Sequence, residues 1–442
     1  MKKGVLIGVG ALLCLIAAAG ILYWRSESAE TRLIRMHMNG TDTIPVTMLI
    51  SLDRNENGRI DNMDLAKAKL DAVFSEESLY PALFTADNAK QLGRTAYHAD
   101  TQTLWCSLSG SGIEFGFRGR KCVLSLTGDI AFSAGDGEAA RYAVYLNDEL
   151  IALRQLTEAE ATVTMQNTGD EEDYAWVRLV KLSESAHSSL GIRAAAVESS
   201  KAIREKYGDD VFIAADAKPH LIEFIGDSIT CGYGIDGENG RDSFKTANED
   251  VTKAYAYLTA QNLDADYSLV SYSGHGIVSG YTTNGKAVTN QLVPKFYGQV
   301  GHCPAVIEGR HKIQDDKWGF DPQPDLIVIN LGTNDASYTG ADAERQKEFA
   351  AGYTEFLKTV REKNPDASIL CTLGIMGQTL CDAVDLAVSD YTKETGDTNI
   401  KTMRFAEQQK EDGFAVDWHP SAVTHKKAAE QLTGFIKEWL GW

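Results

Sequence analysis

Four short stretches of this 442-residue sequence carry side chains that together suit acyl transfer. Acyl transfer needs a nucleophile, a general base, and hydrogen-bond donors that face the developing oxyanion. Ser228, in a Gly-Asp-Ser turn, is the candidate nucleophile, and His419 is the candidate base. The backbone amides of Ser228 and Gly274 and the side-chain amide of Asn334 are the candidate oxyanion donors. A Gly-Asp-Ser turn alone is weak evidence for catalysis, but four stretches with complementary roles indicate a serine-type acyl-transfer site.

The elements that must position these residues form an alternating strand and helix pattern, which begins near residue 214. Short apolar runs are typical of parallel strands buried on both faces, and the segments between them have helical patterns. Ligands of such a sheet collect at the carboxyl ends of its strands, where Ser228, Gly274 and Asn334 fall. The predicted strands are 221–225, 268–272, 326–330 and 368–373, and the predicted helices are roughly 250–263, 341–363, 383–394 and 421–440.

These blocks resemble those of the SGNH hydrolases, also called GDSL esterases. The longer stretches around Ser228, Asn334 and His419, together with the preceding β region, are similar to carbohydrate esterase family two. The resemblance covers about residues 90–442. The residues that carry it are, in chain order, Gly226-Asp227-Ser228, Gly274, Gly332-Thr333-Asn334-Asp335 and His419-Pro420.

The resemblance implies both a fold and an activity. The fold class it implies is α/β, with an SGNH-type parallel sheet flanked by helices and preceded by a smaller all-β jelly-roll domain. The activity it implies is that of an esterase that removes acetyl groups from plant polysaccharides such as xylan and glucomannan. The reaction would pass through an acetyl-enzyme on Ser228 and would need no cofactor for catalysis.

One departure from the family pattern concerns the third member of the expected triad. SGNH enzymes usually place an Asp three residues before the His, whereas Asp417 lies two residues before His419 and position 416 is Val. A one-residue change in spacing turns a side chain in a different direction. Either Asp417 or a backbone carbonyl therefore orients His419, which leaves a Ser-His-Asp triad and a Ser-His dyad as alternatives.

The middle of the chain, residues 87–213, is predicted to be a β domain, followed by the hydrolase domain over residues 214–442. Gly, Asp and Asn separate short apolar stretches, a pattern that favours a sandwich or jelly roll. No cluster of His and carboxylates marks this region as catalytic, so a packing or sugar-binding module is expected. The predicted strands are 103–108, 113–117, 122–126, 142–146, 150–153, 161–165, 175–182 and 190–197.

A long insert, residues 277–324, precedes the third predicted parallel strand and is rich in aromatic residues. Inserts of this length are often functional, and aromatic rings can stack on sugar rings. Tyr281 and Trp318 of the insert, with Trp418 beside the candidate base, are therefore candidate substrate-binding residues. Packing of the same rings against the sheet is the alternative.

Residues 1–30 are predicted to be a signal peptide or a signal anchor. Two lysines precede an apolar run from Val5 to Trp24, which has about the length that spans a bilayer, and 17–19 offers a cleavage site. The length of the run favours an anchor, with the bulk of the chain outside the cell. We expect an exported protein, either secreted or held at the cell surface through this segment alone.

Residues 53–64, within a predicted linker region of residues 31–86, have the spacing of a calcium-binding loop. Oxygen-bearing side chains at positions 1, 3, 5, 9 and 12, with glycine at position 6, match the EF-hand loop. Asp at position 12 resembles one repeat of a dockerin, but the second repeat is absent from the sequence, which argues against docking to a cohesin. An Asx-rich surface turn is the alternative. The candidate ligands of a structural calcium ion are Asp53, Asn55, Asn57, Arg59, Asp61 and Asp64.

The charge and the cysteine count narrow the possible partners. A formal net charge of -19 argues against nucleic acid or an anionic membrane surface and favours a neutral or weakly charged substrate. Seven cysteines without a Cys-x-x-Cys pair argue against a zinc site. Cys106 with Cys122, and Cys371 with Cys381, are possible disulfides that their spacing leaves open. Three histidines without ligand-spaced partners are expected to be structural or exposed: His302, His311 and His425.

Two alternatives to a polysaccharide deacetylase stay open at the level of sequence. A lipid or general short-chain esterase on the same scaffold would need a longer and more apolar acyl pocket. A carbohydrate-binding or cell-wall interaction protein with an inactive hydrolase domain would bind sugar without releasing acetate.

Overall fold

Three β-sheets organise the part of the chain that the computed structural model describes, namely residues 33–35, 38, 52, 60, 64, 68, 79–83, 88–309 and 311–442. Two of the sheets are antiparallel and come from residues 79–214, and the third is parallel and comes from residues 221–404. An all-β domain therefore precedes an α/β domain, and the predicted fold class is confirmed.

The all-β domain consists of two six-stranded antiparallel sheets. Its strands, in chain order, are β1 (Leu79–Leu83), β2 (Lys90–Leu92), β3 (Thr95–His98), β4 (Thr103–Cys106), β5 (Gly112–Phe117), β6 (Lys121–Gly128), β7 (Arg141–Leu146), β8 (Glu149–Gln155), β9 (Glu160–Gln166), β10 (Ala175–Lys181), β11 (Leu190–Glu198) and β12 (Phe212–Ala214). One sheet has the order β3-β4-β11-β6-β9 and the other the order β12-β5-β10-β7-β8, while β1 also pairs with β11 and β2 with β5.

The two antiparallel sheets bury one apolar core between them, to which both contribute. In β9, for example, Val163 and Met165 are buried whereas Thr162 and Thr164 are exposed. This alternation follows from the period of two in a β-strand, which sends successive side chains to opposite faces. All eight strands predicted between residues 103 and 197 are present, while the short edge strands β2, β3 and β12 and the strand β1, within the predicted linker, were not predicted.

The α/β domain is built on a five-stranded parallel sheet. Its strands are β13 (Leu221–Gly226), β14 (Asp266–Ser271), β15 (Leu326–Asn330), β16 (Ser368–Leu373) and β17 (Ile400–Arg404), in the spatial order β14-β13-β15-β16-β17. The first four match the predicted strands. The edge strand β17 was not predicted, because only Ile400 and Met403 of its five residues are buried and the run lacks the continuous apolar character of a central strand.

Helices cover both faces of the parallel sheet. Ile327 and Ile329 of β15 pack in one apolar cluster, whereas Leu326 and Val328 pack in another on the opposite face. The helices are α1 (Lys201–Tyr207), α2 (Ser228–Cys231), α3 (Tyr255–Asn262), α4 (Val293–Phe296), α5 (Thr333–Thr339), α6 (Ala343–Lys363), α7 (Cys381–Thr395) and α8 (Ala422–Leu440). Short 3₁₀ helices span Ile130–Gly137, Gly208–Val211, Thr246–Asn248, Val251–Lys253, Ile313–Asp315, Lys410–Asp412 and Val416–Trp418.

The two domains are packed directly against each other. Val180 and Leu182 of the all-β domain belong to the same apolar cluster as Phe224 of β13. A buried ion pair joins Arg94 to Glu223 across the same boundary, with Nη2 3.0 Å from Oε2. Because both apolar and charged groups are buried at this boundary, the all-β domain helps to position the α/β domain.

Neither pair of cysteines considered as a disulfide is bonded. Cys106, Cys122, Cys371 and Cys381 are all buried free thiols. Cys106 and Cys122 lie on β4 and β6, which flank β11 on opposite sides. Two strand spacings of about 4.8 Å separate them, which exceeds the reach of a disulfide.

Most of the predicted N-terminal features lie outside the described residues. These are the apolar run 5–24 and all predicted calcium ligands except Asp64, which is a buried helical residue. Among the described helices, none combines the length and apolar character that crossing a membrane requires.

Candidate active site

The candidate nucleophile sits at the turn from β13 into the short helix α2. Asp227 caps this helix, since its Oδ1 accepts a hydrogen bond from the Ile229 amide at 3.0 Å, and Ser228 is the first helical residue. The preceding Gly226 is required by the packing, because a Cβ there would lie 2.1 Å from Thr230 Oγ1. The turn therefore holds Ser228 rigidly at the carboxyl end of a central strand.

His419 lies within hydrogen-bond distance of this serine. Its Nε2 is 2.8 Å from Ser228 Oγ, and its Nδ1 is 3.0 Å from the Val416 carbonyl oxygen. The carbonyl can only accept a hydrogen bond, so Nδ1 carries the proton and the unprotonated Nε2 accepts from the serine hydroxyl. This is the tautomer that a general base needs.

The carboxylate of Asp417 is hydrogen-bonded to a tyrosine, while His419 Nδ1 contacts the Val416 carbonyl. Its Oδ2 accepts a hydrogen bond from the Tyr233 hydroxyl at 2.9 Å. Asp417 and Trp418 have φ values of 51° and 64°, a left-handed turn, and the Asp417 side chain is exposed. The imidazole nitrogens contact Ser228 Oγ and the Val416 carbonyl, which is the arrangement expected of the dyad alternative.

Two of the predicted oxyanion donors lie on loops that follow neighbouring strands. Gly274 follows β14 with a φ of 74°, a left-handed conformation that suits glycine. Its amide has no acceptor among the described residues, and a Cβ added to it would point into open space. Asn334 lies in the first turn of α5, where its Nδ2 donates to the His275 carbonyl at 2.8 Å and lies 3.4 Å from Asp227 Oδ2. The hydrogen bond from the second Nδ2 proton to Asp227 is therefore long and weak.

Asp335 braces the loop that carries Gly274. Its carboxylate accepts hydrogen bonds from three consecutive amides, those of Ile277, Val278 and Ser279, at 2.8 to 3.1 Å. Burial raises the pKa of Asp335 to about 6, although these hydrogen bonds oppose the rise. Burial also raises the pKa of Asp227 to about 7. Both carboxyl groups hold backbone in place by accepting hydrogen bonds from amides.

A residue of the all-β domain supports the same loop, and sequence reasoning missed it. Glu184 is fully buried, and its Oε2 accepts a hydrogen bond from the Ser273 amide at 2.9 Å. The Glu184 amide in turn donates to Glu249 Oε2 at 2.8 Å. Residues 184 and 273 are 89 positions apart, so no local motif could have shown that they meet.

The three candidate substrate-binding aromatics fall in different places. Trp418, next to His419, is 52% exposed, and Tyr281 is 58% exposed, with its amide bonded to the Gly274 carbonyl at 2.8 Å. Trp318 instead packs on the guanidinium of Arg94, 5.4 Å from the ring centroid. Arg94 pairs with Glu223 near the start of β13, the end remote from Ser228. Trp318 is therefore a packing residue, and its placement in the substrate site is wrong.

A further aromatic ring adjoins His419. The ring of Tyr233 is 4.4 Å from the imidazole centroid and stacks on Phe244 at 4.1 Å. Neither residue was singled out in the sequence, although Tyr233 lies in the glycine-rich turn after Ser228. The Tyr233 ring therefore lies between the base and Phe244.

The remaining histidines near the site have other roles. His275 Nδ1 donates to the Ser273 carbonyl, 2.9 Å away, and burial lowers the pKa of His275. His425 is buried, and its Nδ1 accepts from the Tyr255 amide at 3.1 Å. His302 stacks on Phe296 at 3.7 Å. None of the three approaches Ser228 Oγ in the way that His419 does.

Comparison with known proteins places this geometry in context. Residues 224–427 match the profile of the GDSL-like Lipase/Acylhydrolase family. The chain is 35% identical over 243 residues to Cellulase/esterase CelE of Acetivibrio thermocellus, covering 53% of this chain and 28% of that protein. It is 30% identical over 237 residues to an Acetylxylan esterase / glucomannan deacetylase of Cellvibrio japonicus, covering 52% of this chain and 60% of that protein. The chain thus spans less than two thirds of the length of these curated relatives.

A solved structure covers both domains. A family two carbohydrate esterase from Clostridium thermocellum, solved in complex with cellohexaose, superposes with a TM-score of 0.66 at 28% sequence identity. The alignment covers 80% of this chain and 99% of that one. The pairing of an all-β domain with an SGNH-type domain is therefore shared between the two proteins.

Proposed function

We propose, from the match of residues 224–427 to the GDSL-like Lipase/Acylhydrolase family, that this chain is a serine esterase that removes O-acetyl groups from polysaccharides of the acetylated xylan or glucomannan type. The observation that carries the proposal is the contact of 2.8 Å between Ser228 Oγ and His419 Nε2, with Nδ1 held by a carbonyl. The similarity to family two carbohydrate esterases in sequence and in two-domain architecture supports the class of substrate.

The reaction follows from the positions of these groups. His419 Nε2 takes the hydroxyl proton as Ser228 Oγ attacks the acetyl carbonyl carbon. The resulting oxyanion is stabilised by the amides of Ser228 and Gly274 and by the side chain of Asn334. His419 then protonates the departing sugar oxygen, and a water molecule, deprotonated by the same imidazole, hydrolyses the acetyl-enzyme. These steps use protein groups alone, and we expect them to proceed in the presence of a chelator.

The surroundings of the dyad support a sugar as the leaving group. Tyr281 and Trp418 present largely exposed rings beside the loop of Gly274 and beside His419. Exposed aromatic faces next to a reactive serine suit the flat apolar face of a pyranose ring. The net charge of -19 also favours a neutral polysaccharide over an anionic one.

Acetate release from acetylated xylan and acetylated glucomannan by the full chain tests this function. We expect acetate from at least one of them, and an activity on 4-nitrophenyl acetate well above that on the octanoate. Release of acetate would also exclude the inactive, sugar-binding alternative. Equal or better hydrolysis of the octanoyl ester without acetate release from either polysaccharide would show a lipid esterase and contradict the proposal.

The dyad predicts a small effect for Asp417→Asn. Since the Val416 carbonyl holds Nδ1, loss of the Asp417 charge should lower kcat/KM on 4-nitrophenyl acetate by less than about 10-fold, whereas the same change in a true triad costs about 10⁴-fold. Tyr233→Phe, which removes the hydroxyl that donates to Asp417, is the matched control. A loss approaching 10⁴-fold in Asp417→Asn alone would show that the carboxylate turns towards His419 during the reaction.

The protonation of His419 predicts the pH dependence. Burial lowers the pKa of His419, and the Val416 carbonyl and the charges of Asp417 and Glu184 only partly oppose this. The base works when neutral, so activity is lost as the pH falls through that pKa. We expect kcat/KM to rise with pH, with a midpoint below the ordinary value of about 6.5, and to be level from pH 7 to 8. A midpoint above 7 in the measured profile would contradict this prediction.

We also propose that the chain is exported and that the 53–64 loop binds a structural calcium ion. The apolar run 5–24 behind two lysines supports export, and the spacing of oxygen side chains supports calcium. Cleavage of the chain by protease added to intact cells would test export. Calcium bound by the full chain but lost when Asp53→Ala and Asn55→Ala are combined would support the loop as its site, whereas unchanged calcium binding in the double variant would contradict it.

A further inference from the structure

A second cluster of titratable side chains lies where the all-β domain meets the insert of the α/β domain. It contains His98 from β3 and Glu308, His311 and Asp316 from the insert. His98 Nε2 is 3.0 Å from Asp316 Oδ2, and His311 Nε2 is 2.8 Å from Asp316 Oδ1. The two imidazole rings meet edge to face with centroids 4.9 Å apart. Two ring nitrogens thus converge on one carboxylate.

Backbone hydrogen bonds hold the insert residues of this cluster in position. The amide of His311 donates to the Ile307 carbonyl at 3.0 Å, and the Ile307 amide donates to the His311 carbonyl at 2.8 Å. The Val300 amide donates to the Asp316 carbonyl at 3.1 Å. The side chains therefore meet on a fixed scaffold, which lowers the entropy cost of binding a ligand between them.

Glu308 fixes the orientation of the His98 ring. Its Oε2 is 3.1 Å from His98 Nδ1, and the carboxylate also accepts from Trp105 Nε1 at 2.8 Å and from the Thr101 hydroxyl. A charged Glu308 keeps the proton on Nδ1 and directs Nε2 towards Asp316 and His311. Metal-binding histidines usually have such a carboxylate on the second ring nitrogen.

We propose that His98 Nε2, His311 Nε2 and Asp316 bind a divalent transition-metal ion, zinc by the chemistry of its donors. The ligand atoms of the three residues lie within 4.8 Å of one another. A tetrahedral zinc ion separates adjacent nitrogen and oxygen ligands by about 3.3 Å, so small side-chain adjustments suffice. The three residues are half-buried, which leaves room for a water molecule as the fourth ligand.

Charge balance supports a divalent ion at this position. His98 lies between the carboxylates of Glu308 and Asp316, and His311 also faces Asp316. Two carboxylates carry a charge of 2−, which a divalent ion held by two neutral imidazoles balances.

A zinc ion bound at this site would link the long insert to β3 of the all-β domain. His98 is 210 residues from Glu308 and 218 from Asp316, so the spacing of the sequence could not show a zinc site. The role is structural, and it is separate from the hydrolysis proposed for Ser228 and His419.

Metal analysis of the full chain tests the site. After treatment with EDTA and dialysis, zinc titration should show one ion bound per chain, and at a hundredfold excess over Kd the melting temperature should rise by about 3 °C. His311→Ala and Asp316→Asn should abolish both effects. His220→Ala is the matched control, since His220 is another half-buried histidine, 3.9 Å from Asp325, and it should bind zinc normally. Acetate release is measured on the same samples. A chain that releases acetate but binds no zinc contradicts only the metal site, whereas a chain that binds zinc but releases no acetate contradicts only the proposed esterase activity.

Cobalt substitution identifies the ligands independently of stability. Co²⁺ bound at this site should give visible d–d bands without a thiolate charge-transfer band, and the bands should vanish in His311→Ala. A thiolate band would place the metal on one of the cysteines and overturn the proposal. Absence of stoichiometric zinc in the folded wild-type chain, or zinc retained by both His311→Ala and Asp316→Asn, would overturn it as well.

Discussion

Ser228→Ala is expected to lower kcat on an acetyl ester by about 10⁴-fold to 10⁶-fold, the range found when a serine nucleophile is removed. The hydroxyl is the atom that forms the acetyl-enzyme, and no neighbouring group can replace it. His419 would still be oriented by the Val416 carbonyl, and the oxyanion donors would still be present. Residual activity should come only from these groups.

The fold should survive this substitution. Ser228 Oγ contacts His419 Nε2 at the carboxyl end of the strand, so its loss leaves no buried donor without a partner. Ser125→Ala is a matched control, because Ser125 is an equally buried serine on β6 of the all-β domain. It should leave kcat unchanged. Substantial acetate release by a folded Ser228→Ala protein would show that another residue is the nucleophile.

Asn334→Ala is expected to lower kcat by about 10²-fold to 10³-fold, the usual result of removing one oxyanion donor. KM should change little, because the amide stabilises charge that develops only in the transition state. The prediction rests on the position of Asn334 at the start of α5, where one Nδ2 proton is engaged by the His275 carbonyl. The other makes only a long contact of 3.4 Å to Asp227 Oδ2, which an oxyanion can replace.

A structural role for Asn334 would give a different result. Asn364→Ala is the comparison, since Asn364 is a buried asparagine whose Nδ2 donates to the Val360 carbonyl at 3.0 Å, away from Ser228. Both variants should lower the melting temperature, but only Asn334→Ala should lower kcat at a temperature where each is folded. Equal loss of kcat in the two variants, or an effect of Asn334→Ala on KM alone, would remove Asn334 from the oxyanion hole.

The central strands and the turn that carries the nucleophile could be predicted from the sequence, because both depend on residues that are neighbours in the chain. The central strands were evident because burial on both faces requires continuous apolar runs, as in β15. The turn at Ser228 was evident because Gly226 and the capping Asp227 are adjacent to it. The edge strand β17 was not evident, since only two of its five residues are buried and the continuous apolar run is missing.

Orientation and long-range contact were decided by the tertiary structure. The spacing around His419 left two ways to hold its ring, and in the structure Nδ1 of the ring contacts the Val416 carbonyl. Trp318 is an aromatic residue and was therefore a candidate for stacking on a sugar ring. In the structure it packs on Arg94 instead, and this contact depends on how the two domains pack together.

The fold class and the residues suited to acyl transfer could be predicted from the sequence, because strand periodicity and short motifs are properties of neighbouring residues. That Glu184 supports the loop of Gly274 and that His98 meets Asp316 became visible only in the folded chain. Such contacts join residues that are 89 and 218 positions apart. These contacts depend on how the sheets pack, and the spacing of residues along the chain does not indicate that packing.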